Sequence, residues 1–161
     1  MHYWIDGYNL LFRITKNYRE MKQNERKLLS TLNQSIILLK YNATVVFDGR
    51  EKDPPEALRR NFDALALIYT PHNQTADDYI LEALADSANP AKETVVSSDY
   101  ELLGKAKQRG ANVLTIEAFL ARLVKKKQKK KAATEKIFQE SSTELKRLLK
   151  IFEDKLNEES S

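Results

Sequence analysis

The chain has 161 residues, 42% of them hydrophobic, no cysteine and a formal net charge of +4. That length and apolar content suit one ordinary globular domain with an appendage and argue against wholesale disorder. Disulfides, thiolate chemistry and the usual structural zinc sites are excluded, and no segment approaches the ~18 apolar residues that span a bilayer, so a cytoplasmic protein with no membrane partner is expected.

Short β-branched or aromatic runs alternate with longer helical patterns. Tyr3–Ile5 reads as a first strand that stops on Asp6. From about Asn24 to Tyr41, Leu28, Leu32, Ile36 and Leu39 recur at helical spacing. "ATVVF" (Ala43–Phe47) is a second strand, ended by "DGR". Pro54 and Pro55 break the chain, and Pro55 suits the first turn of a short helix to about Asp63. "LALIYT" (Leu65–Thr70) is a third strand, followed by the loop "PHNQ" and a helix from Ala76 to about Asp86. "TVVSS" is a fourth strand, Asp99 to Arg109 a helix stopped by Gly110, "NVLTI" a fifth strand, and Glu117 opens a further helix. Such alternation predicts an α/β fold with an open parallel sheet of about five strands, flanked by helices.

The compact domain is expected over residues 1–124, with a lysine-rich helical tail over 125–161. Residues 1–124 carry sixteen basic and sixteen acidic side chains, whereas 125–161 carry eleven against seven. The excess therefore sits in the tail, above all in "KKKQKKK" (Lys125–Lys131), which suits a phosphate-rich partner. Beyond it Phe138, Leu145, Leu149, Phe152 and Leu156 form a helical apolar stripe, a surface for self-packing, self-association or partner docking.

The acidic residues follow the strands. Asp6 follows the first and Asp48 the second, Asp77 and Asp78 open the helix after the third, and Asp99 opens the helix after the fourth. In a parallel sheet all five reach the carboxyl edge, where α/β domains bind ligands. Crowded carboxylates repel unless a cation joins them, and magnesium suits oxygen ligands around an open cleft. Helix capping competes for each side chain. Thr75 suits the N-cap of "TADDYI" with Asp78 at the third helical position, which leaves Asp77 spare. Ser98 and Glu101 suit a capping box that leaves Asp99 spare, and Asp48 before Gly49 reads equally as a turn. With the next helix expected only from Asn24, capping explains Asp6 poorly.

"DGYNLL" at 6–11, "FDG" at 47–49, "TADDYI" at 75–80 and "VVSSD" at 95–99 resemble, in order and spacing, the YacP-type NYN domains, which are PIN-like metal-dependent ribonucleases. The resemblance covers residues 1 to about 124 and implies a PIN-like sheet, a Mg2+ or Mn2+ site and endonucleolytic cleavage of RNA, with single-stranded mRNA and the ribosome as implied partners. By position it implies Asp6, Asn9, Asp77 and Asp99 as catalytic, with Asp6, Asp48, Asp77, Asp78 and Asp99 toward metal. One departure stands out: where the family pattern has an acidic residue one turn after Asp77, this chain has Leu81, with Glu82 one step around.

For RNA binding, Arg13, Lys16 and Arg19 with Tyr18 follow the first motif, and Arg50 and Lys52 flank Asp48. Lys125, Lys126, Lys127, Lys129, Lys130 and Lys131 are expected to track a phosphate backbone, and His72 sits in a rim loop. A receiver domain would need an acidic pair after the first strand and a lysine after the fifth, and neither is present. An aspartyl-nucleophile phosphatase would need Asp where Tyr8 stands. The alternatives that remain are a catalytically inactive PIN-like module binding RNA or the ribosome and, since PIN-like sites act on either nucleic acid, cleavage of DNA.

Overall fold

Residues 1–15, 17–49, 58–135 and 143–160 are described by a computed structural model. The chain forms two compact units, 1–116 and 117–161. In the first, the strands β1 (His2–Asp6), β2 (Asn42–Phe47), β3 (Leu58–Phe62), β4 (Leu65–Tyr69), β5 (Glu93–Val96) and β6 (Asn112–Leu114) join in one sheet of order β3-β4-β2-β1-β5-β6. Five of them are parallel, as the alternation predicts. The central strands are apolar almost throughout, as a sheet covered on both faces requires.

The sixth strand corrects the expectation of a helix reaching Asp63. β3 pairs antiparallel with β4, Leu58 opposite Tyr69 and Phe62 opposite Leu65, through a two-residue turn. Asp63 takes the positive φ of 35° that this turn needs, a conformation Asp tolerates. Residues 50–57, which include Arg50, Lys52, Pro54 and Pro55, lie outside the described residues, as does Lys16.

The helices of the first unit are α1 (Gly7–Ile14), α2 (Tyr18–Leu39), α3 (Ala76–Ala85) and α4 (Tyr100–Gln108). α1 is additional to the expected elements: Leu10, Leu11 and Ile14 repeat at helical spacing directly after Asp6 and are buried. α2 begins six residues earlier than Asn24 because Asn17 caps it, its side chain accepting the Glu20 N–H at 2.8 Å. Connections from β1 leftward to β2 and from β4 and β5 rightward put their helices on opposite faces, given right-handed crossovers. On the α3–α4 face, Ile80, Leu84, Leu102, Leu103 and Ala106 pack on Val46, Ile68 and Val95. Leu81 is packed against this cluster, which accounts for an apolar residue one turn after Asp77.

The second unit contains most of α5 (Ile116–Glu135) and all of α6 (Thr143–Ser160). Phe119, Leu120, Leu123 and Val124 are buried along α5, and the same helical stripe reaches Lys127. Lys127 is 1% exposed, with its ammonium 4.9 Å from the centroid of the Phe152 ring on α6. Gln128 donates to Glu153 at 2.6 Å beside it. Lys127 therefore does not present its charge to a phosphate backbone as the run of lysines suggests: a seven-residue block winds through about two helical turns, and one position must face inward. Lys125, Lys126, Lys129 and Lys130 are exposed and Lys131 is half-buried. In the apolar stripe Leu149 and Phe152 are buried within the chain, whereas the side chains of Phe138 and Leu145 lie outside the described residues.

Burial lowers the Lys127 ammonium from 10.5 to about 8. The cost to folding is fully present below pH 8 and is relieved as pH rises toward 10.5. Lys127→Met should stabilise the protein at pH 7 by on the order of 1–3 kcal/mol, seen as a raised urea midpoint, and the gain should shrink at pH 10.

Candidate functional site

Asp6 lies where β1 passes directly into α1. Its carboxylate is the N-cap of α1, accepting the Asn9 N–H at 3.4 Å, so capping does explain this residue in part. Gly7 follows because a Cβ there would collide with the Phe47 ring. Asp6 is only 7% exposed. Asp99 is likewise the N-cap of α4, accepting the Glu101 N–H at 2.9 Å and the Leu102 N–H at 3.4 Å. This corrects the assignment of that cap to Ser98. The Ser98 N–H is used elsewhere, by Asn9 Oδ1 at 2.7 Å. Thr75 caps α3 as expected, its hydroxyl accepting the Asp78 N–H at 3.1 Å.

Asn9 and Ser97 tie the two loops together. The Ser97 hydroxyl is 3.0 Å from Asn9 Oδ1 and 3.5 Å from Asp6 Oδ2, and it accepts the Asp99 N–H at 3.0 Å. One hydroxyl thus joins the first turn of α1 to the first turn of α4. Ser97 is fully buried and is not among the residues the sequence singles out, although a polar pair directly after the apolar "TVV" run marks a strand end. Asn9 is a positioning residue by this geometry: its amide oxygen receives two donors from the β5–α4 loop.

The carboxylates feel one another. Asp6 is pushed up from 3.8 to about 6, chiefly by burial; the Asn9 N–H and Ser97 oppose the rise, and Asp99 and Asp48 add to it. Asp77 is half-buried and also rises to about 6, through burial, then the charges of Asp6 and Asp99, a hydrogen bond with Asp99 and the charge of Asp78. The sheet therefore brings Asp6, Asp77 and Asp99 into one electrostatic neighbourhood, with Asp48 and Asp78 at its margin. Asp78 also lines a cavity of about 500 Å3 with Asn73, Gln74, Leu81, Glu82 and Arg109. Gln74 donates to Glu82 at 2.8 Å in that cavity. Arg13 is exposed on the last turn of α1, and His72 is exposed in the β4–α3 loop.

Hard oxygen donors that repel one another fit Mg2+ or Mn2+ in kind. Among the described residues no three His, Cys, Asp or Glu side chains stand in a closed metal-holding arrangement. A hydrogen bond joins Asp77 and Asp99 instead. Perturbed carboxylates of this sort cluster at functional sites, because the field that raises them also binds cations.

Removing the charge at Asp6 should therefore help folding. For the metal-free protein, stability contributed by the proton on Asp6 is fully present below pH 3.8 and is lost as pH rises through 6. Asp6→Asn should raise unfolding stability in chelator at pH 7.5 by on the order of 2–3 kcal/mol, with little difference at pH 4, measured by urea titration.

Comparison with known proteins places the fold. Among curated proteins no sequence relative matches the chain. The crystal structure of Rae1 (YacP) from Bacillus subtilis, in a point-mutant form, is similar with a TM-score of 0.67 at 18% identity, covering 94% of this chain and 92% of that one. A second structure of Rae1 (YacP) from Bacillus subtilis gives a TM-score of 0.61 at 20% identity, covering 85% and 81%. At such identities the likeness establishes a shared fold. The YacP-like NYN domain family model matches residues 3–160, and so runs through the basic tail as well as the sheet domain. The chain belongs to the YacP-like NYN domain family, whose NYN domains are PIN-like nucleases that generally use divalent metals.

Proposed function

We propose that this chain is a divalent-metal-dependent endoribonuclease of the cytoplasm that hydrolyses phosphodiester bonds in unpaired RNA, mRNA on the ribosome included. The observation that carries this reading is the convergence of Asp6, Asp77 and Asp99, three carboxylates from distant parts of an NYN-family chain: Asp77 feels the charges of Asp6 and Asp99, and Asp6 feels that of Asp99.

Asp6, Asp77 and Asp99 would hold Mg2+ or Mn2+, with Asp48 and Asp78 at the margin. When bound, such an ion supplies positive charge that offsets the negative charge growing on the phosphate and favours ionisation of water. The chain supplies the positioning. Asp6 and Asp99 are fixed by capping their helices, which leaves lone pairs for a ligand while holding each carboxylate to a backbone turn. Asn9, through Ser97 and the Ser98 N–H, keeps the Asp6 turn and the Asp99 turn in register. Hydrolysis adds water across a P–O bond: the water oxygen joins phosphorus, and the departing ribose oxygen takes a proton. No histidine or cysteine nucleophile is needed.

The tail supplies affinity in this reading. Lys125, Lys126, Lys129 and Lys130 share one exposed face of α5, where each phosphate contact adds about 0.7 to the log–log salt slope of single-strand binding.

The test is incubation of the full chain with labelled unpaired RNA in Mn2+, in Mg2+ and in chelator, beside Asp6→Asn and Asp77→Asn. Cleavage should occur only with metal and fall on the order of a hundredfold or more in both variants. Binding without cleavage under every metal condition would overturn the nuclease reading in favour of an inactive RNA- or ribosome-binding module. Replacing the four exposed lysines by Gln should weaken binding and flatten its salt dependence while cleavage of saturating RNA persists.

A further inference from the structure

Hydrolysis makes no use of the cavity that Asp78 borders. Asp78, Leu81, Glu82 and Ala85 recur at steps of three, one and three along α3, so one helical stripe about 10 Å long lines it. The charge of Asp78 also acts on Asp77, so this stripe adjoins the carboxylate neighbourhood. At about 500 Å3 the cavity falls within the ~300–1,000 Å3 of sites that take small ligands.

The loop on one side of the cavity is held in place. The Thr70 hydroxyl is fully buried; it accepts the Gly49 N–H at 3.2 Å and donates to the Gln74 carbonyl at 2.7 Å. The Gln74 N–H donates in turn to the Pro71 carbonyl at 3.1 Å. Gln74 is thereby presented to α3, where its Nε2 donates to Glu82 Oε2 at 2.8 Å. A carboxylate only accepts, so this contact fixes which way the amide points. Gln74 Nε2 has a second hydrogen, and Glu82 has a second oxygen.

The pair therefore offers one donor beside two acceptors. Guanine matches all three on its Watson–Crick edge, with the O6 acceptor followed by the N1–H and N2–H donors. Adenine, cytosine and uracil satisfy at most two of the three positions. Leu81 and Pro71 supply apolar surface for the faces of a ring. A phosphate suits the cavity poorly, because the carboxylates of Asp78 and Glu82 outnumber the Arg109 guanidinium among the groups that line it.

We propose that this cavity reads a guanine of the RNA substrate close to the scissile phosphate, Glu82 accepting from N1–H and N2–H while Gln74 donates to O6. This rests on the RNA reading above and deepens it, since it names the base. Pairing in a duplex occupies the same edge, so the cavity takes only an unpaired guanine. A free guanine nucleotide offers that edge too, but its terminal phosphate brings about two charges toward Asp78 and Glu82, whereas an internucleotide phosphate brings one.

Equilibrium binding to the full chain in Ca2+ tests the pocket, with labelled oligouridylates that carry one guanosine, one inosine or neither. Guanosine should tighten binding about tenfold over uridine alone, and inosine, which lacks the N2 amino group, should lose part of that gain. Glu82→Gln should bring the guanosine-to-uridine ratio to about one while oligouridylate binds no more weakly, a loss of selectivity that a merely structural Gln74–Glu82 bond would not show. Equal wild-type affinity for the guanosine and uridine oligomers would overturn the pocket, as would selectivity that survives in Glu82→Gln or a wild-type chain that binds none of them. Displacement of the oligomers by micromolar guanosine monophosphate would assign the cavity to a free nucleotide and overturn the proposal as well. Cleavage in Mn2+ with no preference for guanosine would sink the pocket alone. Guanosine-selective binding in Ca2+ by a chain that never cuts in Mn2+ would instead overturn the nuclease reading and leave the pocket standing.

Discussion

A carboxylate enclosed by a folded chain, with other carboxylates rather than cations shaping its field, is the constraint on which the rest of this molecule turns. Asp6 is placed there by topology. β1 is the central strand of the sheet, and its carboxyl end meets the ends of β2 and β5. Whatever follows those strands is pressed together. In this chain three of the residues that follow are Asp6, Asp48 and Asp99, and Asp77 comes in on the helix after β4. The repulsion is tolerated because two of these side chains also cap helices and so gain hydrogen bonds from backbone amides.

Capping and ligand binding are often treated as competing explanations of an acidic residue at a helix start. Here Asp6 and Asp99 serve the first by geometry and remain available for the second. A capping carboxylate uses only part of its acceptor capacity on the backbone. The cap also removes rotational freedom, so the carboxylate is held in a defined orientation before any ligand arrives. Asp77 has no such anchor. Thr75 does the capping of α3, and Asp77 is left with a hydrogen bond to Asp99 and the field of its neighbours.

Much of this was readable from the residues. Apolar runs separated by helical periods identify the five parallel strands, since sheets covered on both faces leave an unbroken hydrophobic signature. The antiparallel β3 was not readable, because "LRRNF" carries two arginines and its turn lacks the usual glycine. α1 is hard to read because eight residues hold only two turns of periodicity, and without α1 the capping role of Asp6 is hidden too. Strand order alone brings Asp6, Asp48, Asp77, Asp78 and Asp99 to one edge; the narrowing to Asp6, Asp77 and Asp99 draws on helix capping and on the family resemblance. Ser97 is not singled out by any of these, since a serine after a strand has many ordinary reasons to be there. Lys127 shows the limit of reading charge in blocks: composition ignores helical phase, and phase determines which lysine is turned inward.

The bridge from Asn9 to Ser97 and Ser98 has a consequence for how such a chain can diverge. Two segments almost ninety positions apart share one amide oxygen. Losing Asn9 takes an acceptor from the buried Ser97 hydroxyl and from the Ser98 N–H, and losing Ser97 takes a donor from the Asn9 amide oxygen. Drift at either place is permitted only in step with its counterpart, so across descendants these positions should either stand still together or be replaced together, even where the surrounding surface has been rewritten.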